Sequence, residues 1–384
     1  MAKKGIFRRL FKMLLIVISG LILLEAIIVY FSTDRLSQFG AKPDGVWLER
    51  AKQSSHFNGE KFVNSIPTDL KFGYNEYKNM LSKWLSGNEI REPQENIEVD
   101  HLDSNAFESL SAEDINIVWL GHSSILLGIE GKNILIDPVW SERCSPFSIM
   151  GPKRFFPVPI ELEKLPHIDA VLISHDHYDH LDKDAVVKLA KRGVSFYVPL
   201  GVGAHLDKWD INKSQIIEFD WWDNQSIIID TLEIIATPGR HFSGRGLFSP
   251  TNSTFWVTWV IKSSDRSIFF CGDTGLFPGF KEIGEKYGPF DLTFMKIAAY
   301  SEQWPEIHLT PEQAIEVHKA LTGKKLIPIH WGTFNLAFHS WDEPPERLVK
   351  AAVNDGVELI IPRPGQIVKL STPPTLDYWW RKYK

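Results

Sequence analysis

The sequence has few cysteines, no excess of basic residues and no repeats. Only Cys144 and Cys271 occur among 384 residues, so a disulfide framework is excluded and the fold must depend on packing or metal binding. We expect both thiols to be free, because Cys271 falls in a strand-like run and Cys144 in a loop. The net charge of −6 argues against nucleic acid as the main partner, since phosphate binding requires a basic surface. Low-complexity tracts and short repeats are also missing.

Long apolar runs are scarce too, with one exception near the N-terminus. Residues 13–31 come close to the ~20 apolar residues that a helix needs to cross a bilayer. Basic residues precede this run, which predicts a cytoplasmic N-terminus and an extracytoplasmic body. Glu25 weakens the interpretation, because a carboxyl group in hydrocarbon is costly. A cleaved signal peptide is the alternative, but Phe31-Ser32-Thr33 is a poor cleavage site, so we expect a single-pass anchor.

The composition, 43% hydrophobic and 23% charged, is typical of a globular protein. We divide the chain into a membrane anchor over residues 1–34, a polar arm over 35–112 that packs on the main domain, a main domain over 113–372 and an aromatic and basic tail over 373–384. The tail would suit a membrane interface, but we expect it to be a frayed, solvated terminus.

From residue 115 onward, short β-rich runs alternate with turns and a few helices. The predicted strands cover residues 116–120, 124–129, 133–136, 170–174, 195–200, 216–219, 226–229, 232–237, 255–261, 267–271, 292–297, 326–329 and 358–361. Predicted helices cover 74–85, 183–191 and 311–321. The last has Thr310 as N-cap, followed by Pro311 and by Gln313 at its third position. This pattern predicts an α/β protein whose sheets carry helices on their outer faces.

The most informative stretch is Ser174-His-Asp-His-Tyr-Asp-His-Leu-Asp182. Its residues His175, His177, Asp179 and His180 form the pattern His-x-His-x-Asp-His between a predicted strand and a predicted helix. A loop can turn alternate side chains to one point, whereas a straight strand sends them to opposite faces. Imidazole and carboxylate are the ligands of catalytic zinc. We therefore predict a metal site here rather than a solvated polar turn.

Three further candidate ligands occupy a similar position in the chain. His241, Asp273 and His330 each come just after a predicted strand, as His175 does. Loops that follow strands of one sheet can converge at its edge. Alone, each residue would be a core histidine or a turn aspartate, but the shared placement favours metal binding. We predict two divalent ions, most consistent with Zn²⁺: one held by His175, His177 and His241, the other by Asp179, His180 and His330, with Asp273 bridging them.

Four other polar residues leave alternatives open. Asp137 could orient a ligand histidine through its second ring nitrogen or could stabilise a turn. Asp182 is expected to be the N-cap of the following helix. Lys153 and Arg154 could bind a substrate phosphate or could belong to a solvated basic turn.

This set of histidines and aspartates resembles the metallo-β-lactamase superfamily, which implies an αββα sandwich with its metals at one edge. Over about residues 56–370 the chain is also similar to the N-acyl-phosphatidylethanolamine-hydrolysing phospholipases D and their bacterial relatives. The motifs that carry this resemblance are Trp119-Leu-Gly-His-Ser123, Ile136-Asp-Pro-Val139, Met150-Gly-Pro-Lys-Arg154, Asp220-Trp-Trp222, Phe270-Cys-Gly-Asp-Thr-Gly275, Gly288-Pro-Phe-Asp-Leu292 and Ile329-His-Trp-Gly-Thr-Phe334. The family's ligands fall on the seven residues named above, and a further family histidine falls on His308.

The resemblance implies a phosphodiesterase in which two metals hold a hydroxide that attacks phosphorus, with Asp179, Asp273 and His308 as catalytic residues. The expected substrate is an N-acyl-phosphatidylethanolamine-like membrane lipid. Small esters, lactones or cyclic phosphodiesters are alternative substrates, because the same metals would serve them. A metal-bearing scaffold without activity is a third reading. The expected partners are the substrate and a membrane, with no nucleic acid, and a homodimer is left open.

Overall fold

A computed structural model describes residues 11–23, 36–68, 74–223, 227–229, 232–245 and 251–384. The strands in chain order are β1 (Asn116–Gly121), β2 (Ser124–Ile129), β3 (Lys132–Ile136), β4 (Ala170–Leu172), β5 (Ser195–Pro199), β6 (Ile216–Phe219), β7 (Ile227–Ile229), β8 (Leu232–Thr237), β9 (Thr258–Lys262), β10 (Ser267–Phe270), β11 (Leu292–Lys296), β12 (Lys325–Ile329), β13 (Glu358–Leu359) and β14 (Ile367–Lys369). They form two seven-stranded sheets, so the predicted α/β sandwich is confirmed.

Each sheet combines an antiparallel part with a parallel part. The first has the order β14-β1-β2-β3-β4-β5-β6 and is parallel from β3 to β6. The second has the order β13-β12-β11-β10-β9-β8-β7 and is parallel from β10 to β13. The carboxyl ends of the parallel strands therefore share one edge in each sheet, where ligands commonly bind in α/β folds.

Helices pack on both sheets, although the N-terminal helix, over residues 11–23, is exposed. The α-helices are α1 (residues 11–23), α2 (Gly45–Ala51), α3 (Tyr74–Ser86), α4 (Ser104–Glu108), α5 (Lys183–Ala190), α6 (Gly203–Lys208), α7 (Gly279–Tyr287), α8 (Pro311–Ala320) and α9 (Glu343–Asp355). Short 3₁₀ helices cover Leu36–Phe39, Leu162–Lys164, Lys213–Gln215 and Trp379–Tyr383. On the first sheet, α5 buries Val186 and Leu189 against Val171 of β4. The capping box predicted for α8 is present, with Thr310 and Gln313 bonded to each other's main chain.

The C-terminal residues are part of the core, so the expected frayed terminus is wrong. Trp379, Trp380 and Tyr383 are buried. The rings of Trp379 and Trp380 lie 5.4 and 5.7 Å from that of Trp331, which stacks on Trp119 at 5.5 Å. Aromatic side chains bury a large apolar area, and this area outweighs the cost of ordering a terminus.

One predicted strand begins later than expected. Residues 255–261 were expected to be continuous, but β9 starts at Thr258. The main-chain N–H groups of Phe255 and Val257 donate instead to the carbonyls of Leu200 and Ser174, which follow strands of the other sheet. These two residues therefore tie the sheets together at the edge where the site lies.

The predicted membrane anchor is only partly within the described residues. Residues 11–23 form a helix whose apolar side chains are exposed, among them Leu14, Ile18 and Ile22. Residues 24–35, which include the rest of the predicted span, lie outside the described part. Within that part, no helix combines the length and the apolar character needed to cross a bilayer.

Candidate metal centre

The candidate ligands lie on four loops at one edge of the sandwich. The loop after β4 carries the histidine-rich segment, and the loops after β8, β10 and β12 carry His241, Asp273 and His330. Because β10 and β12 run parallel to β11, the residues after these strands emerge on the same side. The structure brings all seven predicted ligands together.

Three imidazoles form the first set. The Nε2 atom of His175 lies 2.9 Å from Nδ1 of His177, and Nε2 of His241 lies 3.4 Å from the same Nδ1. His175 and His241 are buried. Three ring nitrogens that face one point match the protein ligands of a catalytic zinc site.

The second set has one carboxylate and two imidazoles. Oδ2 of Asp179 lies 3.6 Å from Nε2 of His180 and 3.5 Å from Nε2 of His330. His122, which was not predicted as part of the site, places Nε2 2.9 Å from the same oxygen. His122 is buried and follows β1 in a turn where its φ is 52°.

Asp273 lies between the two sets. Its Oδ1 atom is 3.0 Å from Nε2 of His330 and 3.5 Å from Nε2 of His180, and its Oδ2 atom is 3.7 Å from Nε2 of His241. One carboxylate oxygen therefore faces each set. This is the geometry that a bridging ligand requires.

The buried polar atoms of this site fit a pair of cations. Within the described chain, Nε2 of His180, Nε2 of His330 and Oδ1 of Asp273 are buried without a hydrogen-bond partner. Burying such atoms without a hydrogen bond is costly, and metal coordination would satisfy all three. Burial lowers the pKa of His175 and of His241 well below the ordinary value. Neutral imidazole is the form that binds metal, so these two side chains are ready for it.

Two of the candidate ligands, His180 and His241, are oriented by contacts at their second ring nitrogen. Oδ2 of Asp137 lies 2.7 Å from Nδ1 of His180, while Ser174 donates to both oxygens of Asp137. Nδ1 of His241 lies 3.1 Å from the carbonyl of Ile307. An N–H on each Nδ1 leaves the Nε2 lone pair free to face the site. This geometry favours the ligand-orienting alternative for Asp137.

His308 lies beside the centre, together with a lysine that sequence reasoning missed. Nε2 of His308 is 3.9 Å from Oδ2 of Asp273, and its Nδ1 is hydrogen-bonded to Nζ of Lys296. Nζ of Lys296 is also 3.3 Å from Oδ1 of Asp273, and its side chain is fully buried. Lys296 ends β11 at the same edge as the ligands. Its position at the end of a strand matches that of the ligands, but an ammonium group has no lone pair, so a pattern of metal ligands does not include lysine.

A cavity of about 460 Å³ opens onto the centre. Its wall includes five polar residues of the centre, namely His177, Asp179, Asp273, His308 and His330. The rest of its wall is mainly apolar and is formed by Met80, Phe242, Thr251, Ala299, Trp304, Ile307 and Leu336. The candidate metal ligands and an apolar surface that could contact hydrocarbon therefore line the same cavity.

The remaining predicted residues have structural roles. Arg154 is buried and donates to the carbonyls of Leu120, Val139 and Phe156, so the phosphate-binding alternative does not hold for it. Lys153 pairs with Glu142 at the surface. The side chain of Asp182 caps α5, as predicted. Both cysteines are free and buried, which confirms the expected absence of a disulfide.

Comparison with known proteins agrees with this geometry. A family model described as "Beta-lactamase superfamily domain" matches residues 132–331. An uncharacterised protein of Mycobacterium tuberculosis is 48% identical over 274 residues, which cover 70% of this chain and 73% of that protein. N-acyl-phosphatidylethanolamine-hydrolyzing phospholipase D 1 of Caenorhabditis elegans is 37% identical over 273 residues, 67% of this chain and 73% of that one. A metallo hydrolase from the archaeon Ignicoccus hospitalis shares the fold, with a TM-score of 0.52, 22% identity and coverage of 66% and 97%.

Proposed function

Because the chain belongs to the metallo-β-lactamase superfamily and is a metal-dependent hydrolase of that superfamily, we propose that it is a phosphodiesterase of the phospholipase D type. Its proposed substrates are N-acyl-phosphatidylethanolamine-like membrane lipids, and its products are a phosphatidate and an N-acylethanolamine. The similarity to the phospholipase D of Caenorhabditis elegans supports this choice.

We propose that two Zn²⁺ ions are held by the two ligand sets, with Asp273 shared between them. A pair of divalent ions supplies, when bound, a nucleophile at neutral pH and a counter-charge for the phosphoryl oxygens. The chain's own residues fix where the phosphodiester sits. Asp179 belongs to the second ligand set and Asp273 faces both sets. Both carboxylates line the cavity together with His308, which lies beside Asp273.

The observation that carries the proposal is the mainly apolar wall of the cavity. Met80, Phe242, Trp304, Ile307 and Leu336 line it within the same pocket as the ligand set. Burying apolar surface contributes about 25 cal/mol per Å², so an acyl or glyceride chain would be held beside the metals. A small polar ester would gain little from this wall.

We further propose that the N-terminal segment keeps the site at its lipid. The exposed apolar side chains of residues 11–23 support this, because a run of apolar side chains on an exposed helix favours contact with lipid. Basic residues at the extreme N-terminus agree with a cytoplasmic start and an extracytoplasmic catalytic domain.

Incubation of the purified full-length protein with N-acyl-phosphatidylethanolamine in mixed micelles, followed by mass spectrometry, tests the proposal. We expect phosphatidate and N-acylethanolamine with the wild type and neither with Asp273→Asn. Asp291→Asn is the matched control, since Asp291 precedes β11 at the opposite end of the same sheet and pairs with Lys324. Hydrolysis of esters or lactones without any lipid product would contradict the proposal and favour a small substrate. Bound metal without hydrolysis of either kind would favour a scaffold.

A further inference from the structure

Lys296 is a buried cation inside the candidate centre, and the proposed reaction gives it no role so far. Its side chain is fully buried, and Nζ lies 3.3 Å from Oδ1 of Asp273. Nζ also forms a hydrogen bond with Nδ1 of His308. A buried ammonium group is costly unless it is paired, and here it has a carboxylate and an imidazole as partners.

The hydrogen bond between Lys296 and His308 determines where the imidazole carries its proton. An ammonium group has three donors and no acceptor, so Nδ1 of His308 must accept. A neutral imidazole has one N–H group, and that group must then be on Nε2. Because Nδ1 accepts, it carries no proton, so the ring has a single N–H group and is neutral.

The proton on Nε2 has two consequences. Coordination of a metal requires a lone pair, so this tautomer keeps His308 out of the ligand set although it lies near His241 and Asp273. Nε2 is 3.9 Å from Oδ2 of Asp273, which is too far for a hydrogen bond. The N–H group is therefore available to a substrate atom in the cavity that His308 lines.

We propose that Lys296 is a positioning residue that fixes His308 as the Nε2–H tautomer, so that His308 donates a hydrogen bond to the leaving-group oxygen of the phosphodiester. This step rests on the proposed function for its substrate. As the P–O bond breaks, negative charge develops on the leaving oxygen, and a donor placed there in advance stabilises that charge. Water supplies both the oxygen that forms the new P–O bond and the proton that the departing oxygen takes up, and Lys296 keeps its own proton throughout.

The tautomer can be observed without any substrate. The full-length, zinc-loaded protein, labelled with ¹⁵N-histidine, gives two-bond ¹H–¹⁵N spectra that distinguish protonated from unprotonated ring nitrogens. His308→Gln identifies the signals of His308 among the 13 histidines. We expect a protonated Nε2 and an unprotonated Nδ1 in the wild type, and loss of this pattern in Lys296→Met. A protonated Nδ1 in the wild type would overturn the proposal, even if the Met variant failed to fold.

Kinetics separate leaving-group assistance from a merely structural role. With a soluble alkyl phosphodiester, we expect Lys296→Met and His308→Gln to lower kcat about 10²-fold, as loss of one well-placed donor does, with a much smaller change in KM. With the corresponding p-nitrophenyl phosphodiester, the loss of kcat should be smaller, because p-nitrophenolate is a good leaving group and needs less stabilisation. Lys325→Met, which removes a lysine and its pair with Glu358 at the far end of β12, is the control and should match the wild type.

Equal losses on both substrates would contradict the role in leaving-group departure. If the wild type cleaves no phosphodiester at all, the proposed function fails, while the spectra still decide the tautomer. The two failures are therefore distinguishable.

Discussion

Asp137 lies behind the candidate ligands, where it can control one of them without touching a metal. Its side chain is fully buried, and it accepts hydrogen bonds from Ser174 and from Nδ1 of His180. We predict that Asp137→Asn lowers the zinc affinity of the second ligand set about 10- to 100-fold, because His180 loses the carboxylate that orients it. Competition with a chromogenic chelator measures this change.

Asp169→Asn is the appropriate comparison for that variant. Asp169 precedes β4 at the opposite end of the same sheet, where it accepts from Asn133 and pairs with Lys132. Its replacement should leave zinc affinity unchanged. Equal affinities of wild type and Asp137→Asn would show that the carboxylate has no part in metal binding.

At the same scale, sequence reasoning found residues that repeat a pattern and missed those that do not. His241, Asp273 and His330 were recognised because each follows a strand, and the structure places them beside the loop at His175. His122 occupies a turn between antiparallel strands, and its contact with Asp179 depends on how two distant loops meet. Spacing along the chain contains no information about such a contact.

At the scale of elements, Glu218 holds the turn between β5 and α6. Its Oε1 atom accepts from the main-chain N–H groups of Gly201 and Gly203 at 2.7 and 3.0 Å. Burial raises the pKa of Glu218 from 4.5 to about 7, although these two bonds and the more distant Arg50 oppose the rise. Between these pH values the native state keeps a proton that the unfolded state releases, so the free energy of unfolding falls as pH rises through this window.

Glu218→Gln should remove this pH dependence, because glutamine keeps the acceptor and has no charge to bury. We expect equal stability of variant and wild type near pH 4.5, and a more stable variant above pH 7, by up to about 3 kcal/mol. Urea unfolding across this pH range measures the difference. Glu233→Gln on β8 serves as the control and should follow the wild-type profile. If the free energies of unfolding of variant and wild type differ by the same amount at every pH, ionisation of Glu218 is not the cause of that difference.

The strands were predicted better than the helices for a physical reason. Buried runs such as Ser124–Ile129 and Ser267–Phe270 are mainly apolar and bounded by turns, so their limits are visible in the sequence. Helices α7 and α9 were missed, although both bury one face. Their apolar residues are separated by many charged ones, and tertiary packing supplies most of the stability of such helices. The three-residue strand β14 exists because β1 provides its partner.

For the whole molecule, bound metal should contribute to stability. The ligands come from loops after β4, β8, β10 and β12, so a metal pair links both sheets. A ligand that binds only the native state stabilises it by mass action, by about 4 kcal/mol at a thousandfold excess over Kd. We therefore expect chelation to lower the Tm measured by calorimetry, and added Zn²⁺ to restore it. In His177→Ala, which lacks a candidate ligand, the difference in Tm between the chelated and the zinc-loaded protein should be smaller. An identical Tm with chelator and with zinc would contradict a structural contribution of the metal.

The N-terminal helix should govern where the whole molecule resides. Leu14, Ile18 and Ile22 follow one another at intervals of four residues, and their exposures are 55%, 42% and 61%. Burying such a side chain in an apolar phase contributes about 1.5–3 kcal/mol, whereas a lysine there would oppose insertion. We expect the variant with Leu14→Lys, Ile18→Lys and Ile22→Lys to lose co-sedimentation with phospholipid vesicles. It should keep its activity on a soluble phosphodiester. The control variant with Leu14→Ile, Ile18→Leu and Ile22→Leu keeps the apolar surface and should bind vesicles as the wild type does. If the lysine variant still sediments with vesicles, another surface binds the membrane.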